Sequence, residues 1–406
     1  MVFWTRIACL LVTVAIYPTL FLVSIVIQYA KTSLPPGIEQ PFKLRFYQSI
    51  MISLLLLVSV DLFCLIEVLR FFANGIPPFK DTSLLIQEQQ FDGVPVKIYQ
   101  PKKPAVTKRK ALLFFHGGAG TYGNVDSFER LLRHFAKEAN VVVVGVRYGL
   151  GPENPYPNQY TECLKATLYF MKNADKYHTD ASCVTVCGDS CGANFATKIC
   201  QLLVDRTDVP KIQAQILIYP GLQGMDFYLP SYQQNKDIPL LWRKLVVYWT
   251  CRFLNKSTSV VNDVLEGRHV PEDIRTKYQK WVCADLIPEE FKVRGYKPQD
   301  PALRTFKPKV YEEMKQVLEV TFSPLFAENS VISKLPQACI LTCEFDVLRD
   351  DGLLYKRRLE ENGVPVTWFH AKKSIHGLAI LFGYGVFSLP SSQWIVSKVT
   401  SFIKSL

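Results

Sequence analysis

A serine at the centre of a glycine-rich motif is the strongest chemical signal in the sequence. Residues 188–192 read Gly-Asp-Ser-Cys-Gly, so Ser190 stands in a GxSxG pattern directly after the apolar run 184–187. A sharp turn from a strand into a helix lifts a serine hydroxyl clear of a sheet, and glycine tolerates the crowding on either side. We therefore predict that Ser190 is the nucleophile of an acyl-transfer reaction. An ordinary glycine-rich turn is the structural alternative.

A second glycine-rich motif precedes the serine and follows another apolar run. Residues 114–120 read Phe-Phe-His-Gly-Gly-Ala-Gly, and we call residues 116–122 the oxyanion loop. Attack on a carbonyl produces a tetrahedral oxyanion, which fixed backbone N–H groups stabilise. The predicted donors are the N–H groups of Gly117, Gly118 and Cys191, and His116 opens the motif. A phosphate-binding loop is the rival interpretation, but the GxxxxGK[ST] motif of such loops does not occur in this sequence.

The elements that must position these motifs alternate between short apolar runs and helix-length segments. Such runs are typical of strands buried on both faces, and the alternation predicts an α/β fold with a mostly parallel sheet covered by helices. The interval 221–321 breaks the rhythm and is predicted to be a helical insertion over the sheet edge, within a catalytic domain spanning residues 81–406. The predicted strands are 111–115, 141–146, 184–187, 216–219, 340–343 and 366–369.

Further motifs complete an ordered series along the chain. Residues 147–153 read RYGLGPE, residues 323–325 read SPL, residues 346–350 read DVLRD and residues 376–377 read HG. With HGGAG and GDSCGAN, they resemble the motif series of the hormone-sensitive-lipase-like α/β-hydrolases, most closely the arylacetamide deacetylase branch. The resemblance covers essentially the whole chain. It implies an α/β-hydrolase fold and a serine hydrolase that cleaves carboxylic esters or amides with no metal or organic cofactor.

The same resemblance implies the remaining catalytic roles, with His376 as general base and Asp346 as the acid that orients it. The residues agree, because this fold orders its triad Ser, Asp, His and few candidates lie at strand ends after the serine. Asp346 follows the apolar run 340–345 at the distance of a strand-end loop. His370 ends an apolar run and is predicted to be structural. Three other carboxylates are rivals to the acid: Glu344, Asp350 and Asp351.

Several positions depart from the family pattern. Ala119 stands where the family has its third oxyanion-loop glycine, and Ala193 stands at the second glycine after the nucleophile. An added Cβ is harmless at negative φ and strained at positive φ, so a positive φ at position 119 would distort the predicted oxyanion hole. Some relatives also join this loop by a disulfide to the cysteine three residues before the acid. Here Cys343 is present but Thr121 occupies the partner position, so that disulfide is not expected.

The first 30 residues are predicted to form a transmembrane anchor, followed by a linker over residues 31–80. No charged residue occurs between positions 7 and 30, and at about 1.5 Å per residue such a helix crosses a hydrocarbon core of about 30 Å. A cleavable signal peptide is the competing interpretation. A second apolar stretch, residues 46–69, contains Asp61 and Glu67 and is either a second span or a helix packed on the globular body.

The positions of the basic residues predict the orientation of this anchor. Lys31, Lys43 and Arg45 lie between the two apolar stretches, whereas Arg6 alone precedes the first, which favours a cytoplasmic connecting loop. Two spans would place the rest of the chain in the lumen, predicted to be that of the endoplasmic reticulum. A single signal anchor with a cytoplasmic amino terminus would also place the rest of the chain in the lumen, but the distribution of basic residues does not favour that orientation. The glycosylation sequon at Asn255 mildly supports the lumen.

Composition narrows the class of partner. The chain has 47 basic and 36 acidic residues, a net charge of +11, but the excess is spread along the chain, so no nucleic-acid partner is predicted. The predicted partners are a lipophilic ester or amide substrate and membrane lipid, and no oligomeric state follows from the sequence. A catalytically weak relative that binds lipid or a membrane partner is the alternative function. Aromatic residues of the insertion either line an apolar site or form its core: Phe227, Tyr228, Tyr232, Trp242, Tyr248, Trp249 and Phe253.

Overall fold

An eight-stranded sheet forms the centre of the molecule, seen in a computed structural model that describes residues 2–31, 33–58, 70, 73–298 and 305–406. The spatial order of the strands is β1-β2-β4-β3-β5-β6-β7-β8. The strands are β1 (Leu84–Phe91), β2 (Val94–Pro101), β3 (Arg109–Phe115), β4 (Val142–Val146), β5 (Thr179–Asp189), β6 (Ala214–Ile218), β7 (Gln337–Phe345) and β8 (Val366–Ile375). The neighbours from β4 to β8 pair in parallel, so the predicted mostly parallel α/β-hydrolase sheet is confirmed.

The first two strands form an antiparallel hairpin that the sequence analysis did not predict. β1 pairs with β2, and β2 runs antiparallel to β4. The turn is Asp92-Gly93, and both residues have positive φ. Asp-Gly between short runs of alternating polarity is a strong hairpin signal, so the sequence did contain the information needed to find it.

Helices cover both faces of the sheet because its central strands are buried on both sides. Every residue of β4 and β6 is buried, which is the pattern expected of parallel strands. One face carries α4, α5 and α12, and the other carries α3 and α13. The helices are α1 (Val2–Lys31), α2 (Pro41–Val58), α3 (Glu129–Glu138), α4 (Asn158–Lys172), α5 (Cys191–Leu203), α6 (Pro230–Gln234), α7 (Arg243–Phe253), α8 (Val261–Leu265), α9 (Glu272–Tyr278), α10 (Pro308–Met314), α11 (Asn329–Ile332), α12 (Arg349–Glu361) and α13 (Pro390–Ser405).

The segment between β6 and β7 contains helices α6 to α11 and no strand among its described residues. Its apolar residues join the core on the α5 face of the sheet, including Phe227, Trp281 and Met314. The long insertion therefore extends an existing core rather than forming a separate one.

At the amino terminus, helices α1 and α2 pack against each other and against the hydrolase body. The rings of Phe21 and Phe46 meet edge to face at 5.8 Å, while Leu44 and Leu54 of α2 are buried against residues of the body. No helix within the described residues is both long and apolar enough to cross a bilayer. The side chains of residues 2–15 lie outside that description, as do residues 59–69 of the second stretch, so the anchor predicted for residues 1–30 stays a prediction.

Candidate active site

The predicted site residues follow the carboxyl ends of four strands. His116 follows β3, Ser190 follows β5, Asp346 follows β7 and His376 follows β8. Carboxyl ends of parallel strands meet at one edge of a sheet, and ligands of α/β proteins bind at this edge. Residues separated by more than 250 positions in the sequence are thus brought together by the topology.

Ser190 occupies a sharp turn between β5 and α5. Its φ of 55° and ψ of −123° lie outside the regions that most residues adopt. Its N–H donates to the Ile218 carbonyl at 2.9 Å. Packing here excludes any side chain at Gly192, where a Cβ would lie 2.0 Å from the Phe115 carbonyl oxygen. The GxSxG motif therefore forms the strained turn that raises the serine above the sheet.

The structure brings Ser190, His376 and Asp346 into one hydrogen-bonded chain. His376 Nε2 lies 2.9 Å from Ser190 Oγ, and His376 Nδ1 lies 2.8 Å from Asp346 Oδ2. The other carboxylate oxygen of Asp346 accepts the Leu348 N–H at 2.8 Å. Asp346 is 1% exposed and His376 is 7% exposed, so bulk water does not compete strongly for either group. This is the arrangement of a nucleophile, its base and an orienting acid.

The three rival carboxylates have other partners. Glu344 accepts hydrogen bonds from Arg294 and Arg349 and lies 3.1 Å from His370 Nε2. Burial would raise the pKa of Glu344, but the His370 hydrogen bond and the two arginines outweigh it, so the pKa is lowered.

Asp350 and Asp351 are both buried and fix the insertion to α12. Asp350 pairs with Arg349 at 2.9 Å and accepts the Ser231 N–H at 2.7 Å. Asp351 accepts the Leu222 N–H at 2.8 Å, and burial raises its pKa to about 7. These carboxylates join the insertion to the body, which explains a motif that sequence reasoning could only treat as a source of rival acids.

One predicted oxyanion donor is wrong, because the Gly117 N–H is already engaged. It donates to Asp189 Oδ1 at 2.6 Å. The Gly118 N–H, by contrast, has no acceptor among the described residues. Cys191 begins α5, so its N–H is one of those that a helix leaves without an intrahelical partner. Two of the three predicted donors thus have N–H groups available for a substrate oxygen.

The two alanines that depart from the family pattern have different backbone conformations. Ala119 has a φ of 52°, between Gly118 at 113° and Gly120 at 65°. The left-handed region costs a residue with a Cβ about 1–2 kcal/mol, so the strain considered for position 119 is present. Ala193 lies buried within helix α5 and carries no such strain.

Asp189 is a site residue that the sequence analysis missed. Besides the Gly117 N–H, it accepts a hydrogen bond from the Tyr219 hydroxyl at 3.3 Å. The ring centre of Tyr219 lies 4.6 Å from that of His376, and its hydroxyl accepts the Ala379 N–H at 3.3 Å. Asp189 therefore connects the turn at Ser190 with the oxyanion loop and, through Tyr219, with the loop that follows His376. Burial raises its pKa to about 7.

His116 helps to fix the start of the oxyanion loop through its contacts with Tyr148. Its ring stacks on Tyr148 with ring centres 4.3 Å apart, and the Tyr148 hydroxyl donates to the His116 carbonyl at 2.6 Å. Burial lowers the pKa of His116 to about 4, so the ring is neutral at physiological pH. It helps to fix the loop, and no hydrogen bond joins it to Ser190 among the described residues.

A second missed residue, Arg70, comes from the linker before the hydrolase body. Its Nε donates to the Thr121 carbonyl at 2.9 Å, and its Nη2 donates to the Gly151 carbonyl at 2.8 Å. The same guanidinium forms a bidentate pair with Glu153 of the RYGLGPE motif. The far end of the oxyanion loop is thereby joined to this motif.

The aromatic residues of the insertion mainly pack in its core. Phe227, Tyr232, Trp249 and Phe253 are each at most 5% exposed. Phe253 still bears on the site, since its ring covers Gly120 so closely that a Cβ there would lie 2.4 Å away. The sequon residue Asn255 is exposed just after α7, and Cys343 is a free thiol.

Comparison with known proteins identifies the family. Residues 112–265 and 291–380 match a family described by its α/β hydrolase fold. The chain is 38% identical to arylacetamide deacetylase-like 4 of Homo sapiens over 382 residues, which covers 93% of both chains. It is 40% identical to arylacetamide deacetylase-like 3 of Mus musculus, covering 91% of both. The chain belongs to the arylacetamide deacetylase family. The membership predicted from the motif series is confirmed.

A more distant relative belongs to the same family, and two solved structures share the fold. Arylacetamide deacetylase of Rattus norvegicus is 32% identical over 398 residues, covering 93% of this chain and 98% of the relative. A crystal structure of the esterase rPPE matches with a TM-score of 0.67 at 21% identity, covering 92% of this chain and 98% of that one. The Pyrobaculum calidifontis esterase matches with a TM-score of 0.59 at 22% identity, covering 84% and 90%. These two structures share the fold of the arylacetamide deacetylase family.

Proposed function

We propose that this chain is a serine hydrolase that cleaves carboxylic esters or amides of lipophilic compounds through an acyl-enzyme. The observation that carries the proposal is the hydrogen-bonded chain from Ser190 through His376 to Asp346, with distances of 2.9 and 2.8 Å. A buried acid, an imidazole and a serine on a strained turn are the parts that acyl transfer requires. The names of the relatives agree with this chemistry.

The geometry supports a two-step reaction. His376 Nε2 takes the proton of Ser190 as Oγ attacks the substrate carbonyl, and Asp346 stabilises the imidazolium that forms. The N–H groups of Gly118 and Cys191 stabilise the negative oxygen that forms. His376 then gives its proton to the departing alcohol or amine. Water, activated by His376, releases the acid and restores Ser190.

Apolar surroundings of the oxyanion loop support the preference for lipophilic compounds. Ala119 and Tyr122 share one apolar cluster with Leu54, Leu245 and Trp249. A carbonyl held at this loop would therefore have hydrocarbon nearby for its acyl group or its leaving group. We expect activity on aryl esters to rise with acyl chain length before solubility limits the assay.

Covalent labelling by a fluorophosphonate probe tests the activated serine. We expect the wild-type chain to be labelled and Ser190→Ala, matched to it in folding by thermal melting, to remain unlabelled. Hydrolysis of short-chain aryl esters should follow the same pattern. A folded wild-type chain that is neither labelled nor active would contradict the proposal. It would favour the alternative, a lipid-binding relative, which the left-handed Ala119 specifically supports.

Attachment to a membrane, with the hydrolase domain in the lumen of the endoplasmic reticulum, stays a prediction from the sequence. The charge pattern around residues 1–69 and the exposed sequon residue Asn255 support it. Glycosylation of Asn255 in cells would be its marker.

A further inference from the structure

The Cys191 side chain contacts the oxyanion loop from the residue that follows the nucleophile. Its Sγ accepts the Gly120 N–H at 3.2 Å and lies 4.0 Å from the His116 carbonyl oxygen. The Tyr148 hydroxyl and the Ala119 N–H also approach this sulfur. The thiol therefore joins the start of α5 to both ends of the HGGAG motif.

This part of the loop requires support because its backbone is strained. Residues 118–120 all have positive φ, and only Ala119 among them has a Cβ. Gly120 is held from two sides, since its carbonyl accepts the Gly151 N–H at 2.8 Å while its N–H donates to Cys191. An alanine at position 191 would leave that N–H without its partner.

The chemistry of a buried thiol suits this role. Burial raises the pKa of Cys191 to about 12, so the group stays protonated and does not compete with Ser190 as a nucleophile. A neutral thiol accepts one weak hydrogen bond and donates another. A serine at position 191 could still accept and donate a hydrogen bond, although its oxygen is smaller than sulfur, whereas an alanine could do neither.

We propose that Cys191 is a positioning residue, whose thiol holds Gly120 and the left-handed Ala119 so that the Gly118 N–H stays free for the substrate oxygen. This inference rests on the proposed hydrolase function for its catalytic meaning. It gives the side chain at position 191 a task separate from that of its backbone N–H.

Steady-state kinetics on a short-chain aryl ester test this role. We expect Cys191→Ala to lower kcat about tenfold with KM changed less than about twofold, a smaller loss than removal of an oxyanion donor causes. Cys191→Ser should retain kcat within about threefold. Adding Ala119→Gly to Cys191→Ala should restore most of the loss, because glycine adopts positive φ without support.

The matched control is Cys200→Ala, which removes another buried thiol from the same helix without touching the loop. Its kcat should equal that of the wild type. Equal losses in Cys191→Ala and Cys200→Ala would overturn the proposal, as would failure of both serine and the added Ala119→Gly to recover kcat.

Amide hydrogen exchange separates this inference from the proposed function. Peptides covering residues 117–122 should exchange faster in Cys191→Ala than in the wild type, and Cys200→Ala should leave them unchanged. If exchange is faster in Cys191→Ala but the wild-type chain hydrolyses no ester, the positioning role of the thiol would be supported and the hydrolase proposal would be contradicted. Unchanged exchange in Cys191→Ala would overturn the positioning role whatever the activity.

Discussion

At the scale of single residues, Asp189 makes stability depend on pH. Its pKa is raised to about 7 by burial, whereas an aspartate in an unfolded chain has a pKa of about 3.9. Between these values the folded protein holds a proton that the unfolded chain has lost. Raising the pH from about 4 to 7 therefore favours unfolding.

We expect Asp189→Asn to weaken this pH dependence. The amide is neutral at every pH and keeps an oxygen for the Gly117 N–H. Urea denaturation between pH 5 and pH 8 should give a smaller loss of stability in the variant than in the wild type. Asp175→Asn changes an exposed carboxylate and should keep the wild-type slope. Identical slopes in Asp189→Asn and the wild type would show that Asp189 ionises normally.

At the scale of elements, the end of helix α6 holds the loop that carries Asp346. The Asn235 amide donates to the Asp346 carbonyl at 2.9 Å and to the Glu344 carbonyl at 3.3 Å. The nearby Ser231 hydroxyl donates to the Val347 carbonyl at 2.7 Å. The insertion is thus part of the support for the triad and not only a cover over it.

Loss of this support should lower activity. We expect Asn235→Ala to reduce kcat about fivefold to tenfold, because carbonyl groups in the loop that carries Asp346 lose their hydrogen-bond donor. Gln233→Ala is the control, since Gln233 donates only to the Tyr228 and Lys297 carbonyls within the insertion. Ester hydrolysis by the two purified variants makes the comparison. Equal activity of Asn235→Ala and Gln233→Ala would mean that the loop carrying Asp346 keeps its conformation without the hydrogen bonds from Asn235.

The sequence predicted strands β3 to β8 and the residues at their ends because both depend on local patterns. Apolar runs indicate buried strands, and parallel strands bring their carboxyl ends to one edge. The contact between Asn235 and Asp346 joins residues more than a hundred positions apart, so no local pattern reveals it. The error at Gly117 has a similar cause. Which N–H in a run of glycines is free depends on Asp189, which ends the neighbouring strand β5.

At the scale of the whole molecule, helix α2 connects the amino terminus to the catalytic body. Leu44 is fully buried in a cluster with Ile238 of the insertion and with Ile375 and Leu378, which flank His376. Glu39, just before α2, accepts the Ser391 N–H at the start of the last helix. The part of the linker around Glu39 and Leu44 is therefore packed on the hydrolase domain.

We expect Leu44→Ala to destabilise the protein by about 2–5 kcal/mol, as a cavity in a packed core does. Phe42→Ala provides the comparison, because its ring is 70% exposed on the same helix. Thermal melting should show a clearly lower midpoint for Leu44→Ala and almost none of that effect for Phe42→Ala. Similar midpoints would indicate that α2 is only loosely attached to the body.

The contact between Gly192 and the Phe115 carbonyl also bears on how such a chain can diversify. Because the backbone carbonyl oxygens of Phe115 and His116 lie where a Cβ of residue 192 would be, no change of a neighbouring side chain makes space for a larger residue there. The family match covers both motifs and leaves out residues 266–290 of the insertion. Descendants of this chain that acquire new substrates should differ first in the insertion, while the meeting point of serine turn and oxyanion loop is inherited unaltered.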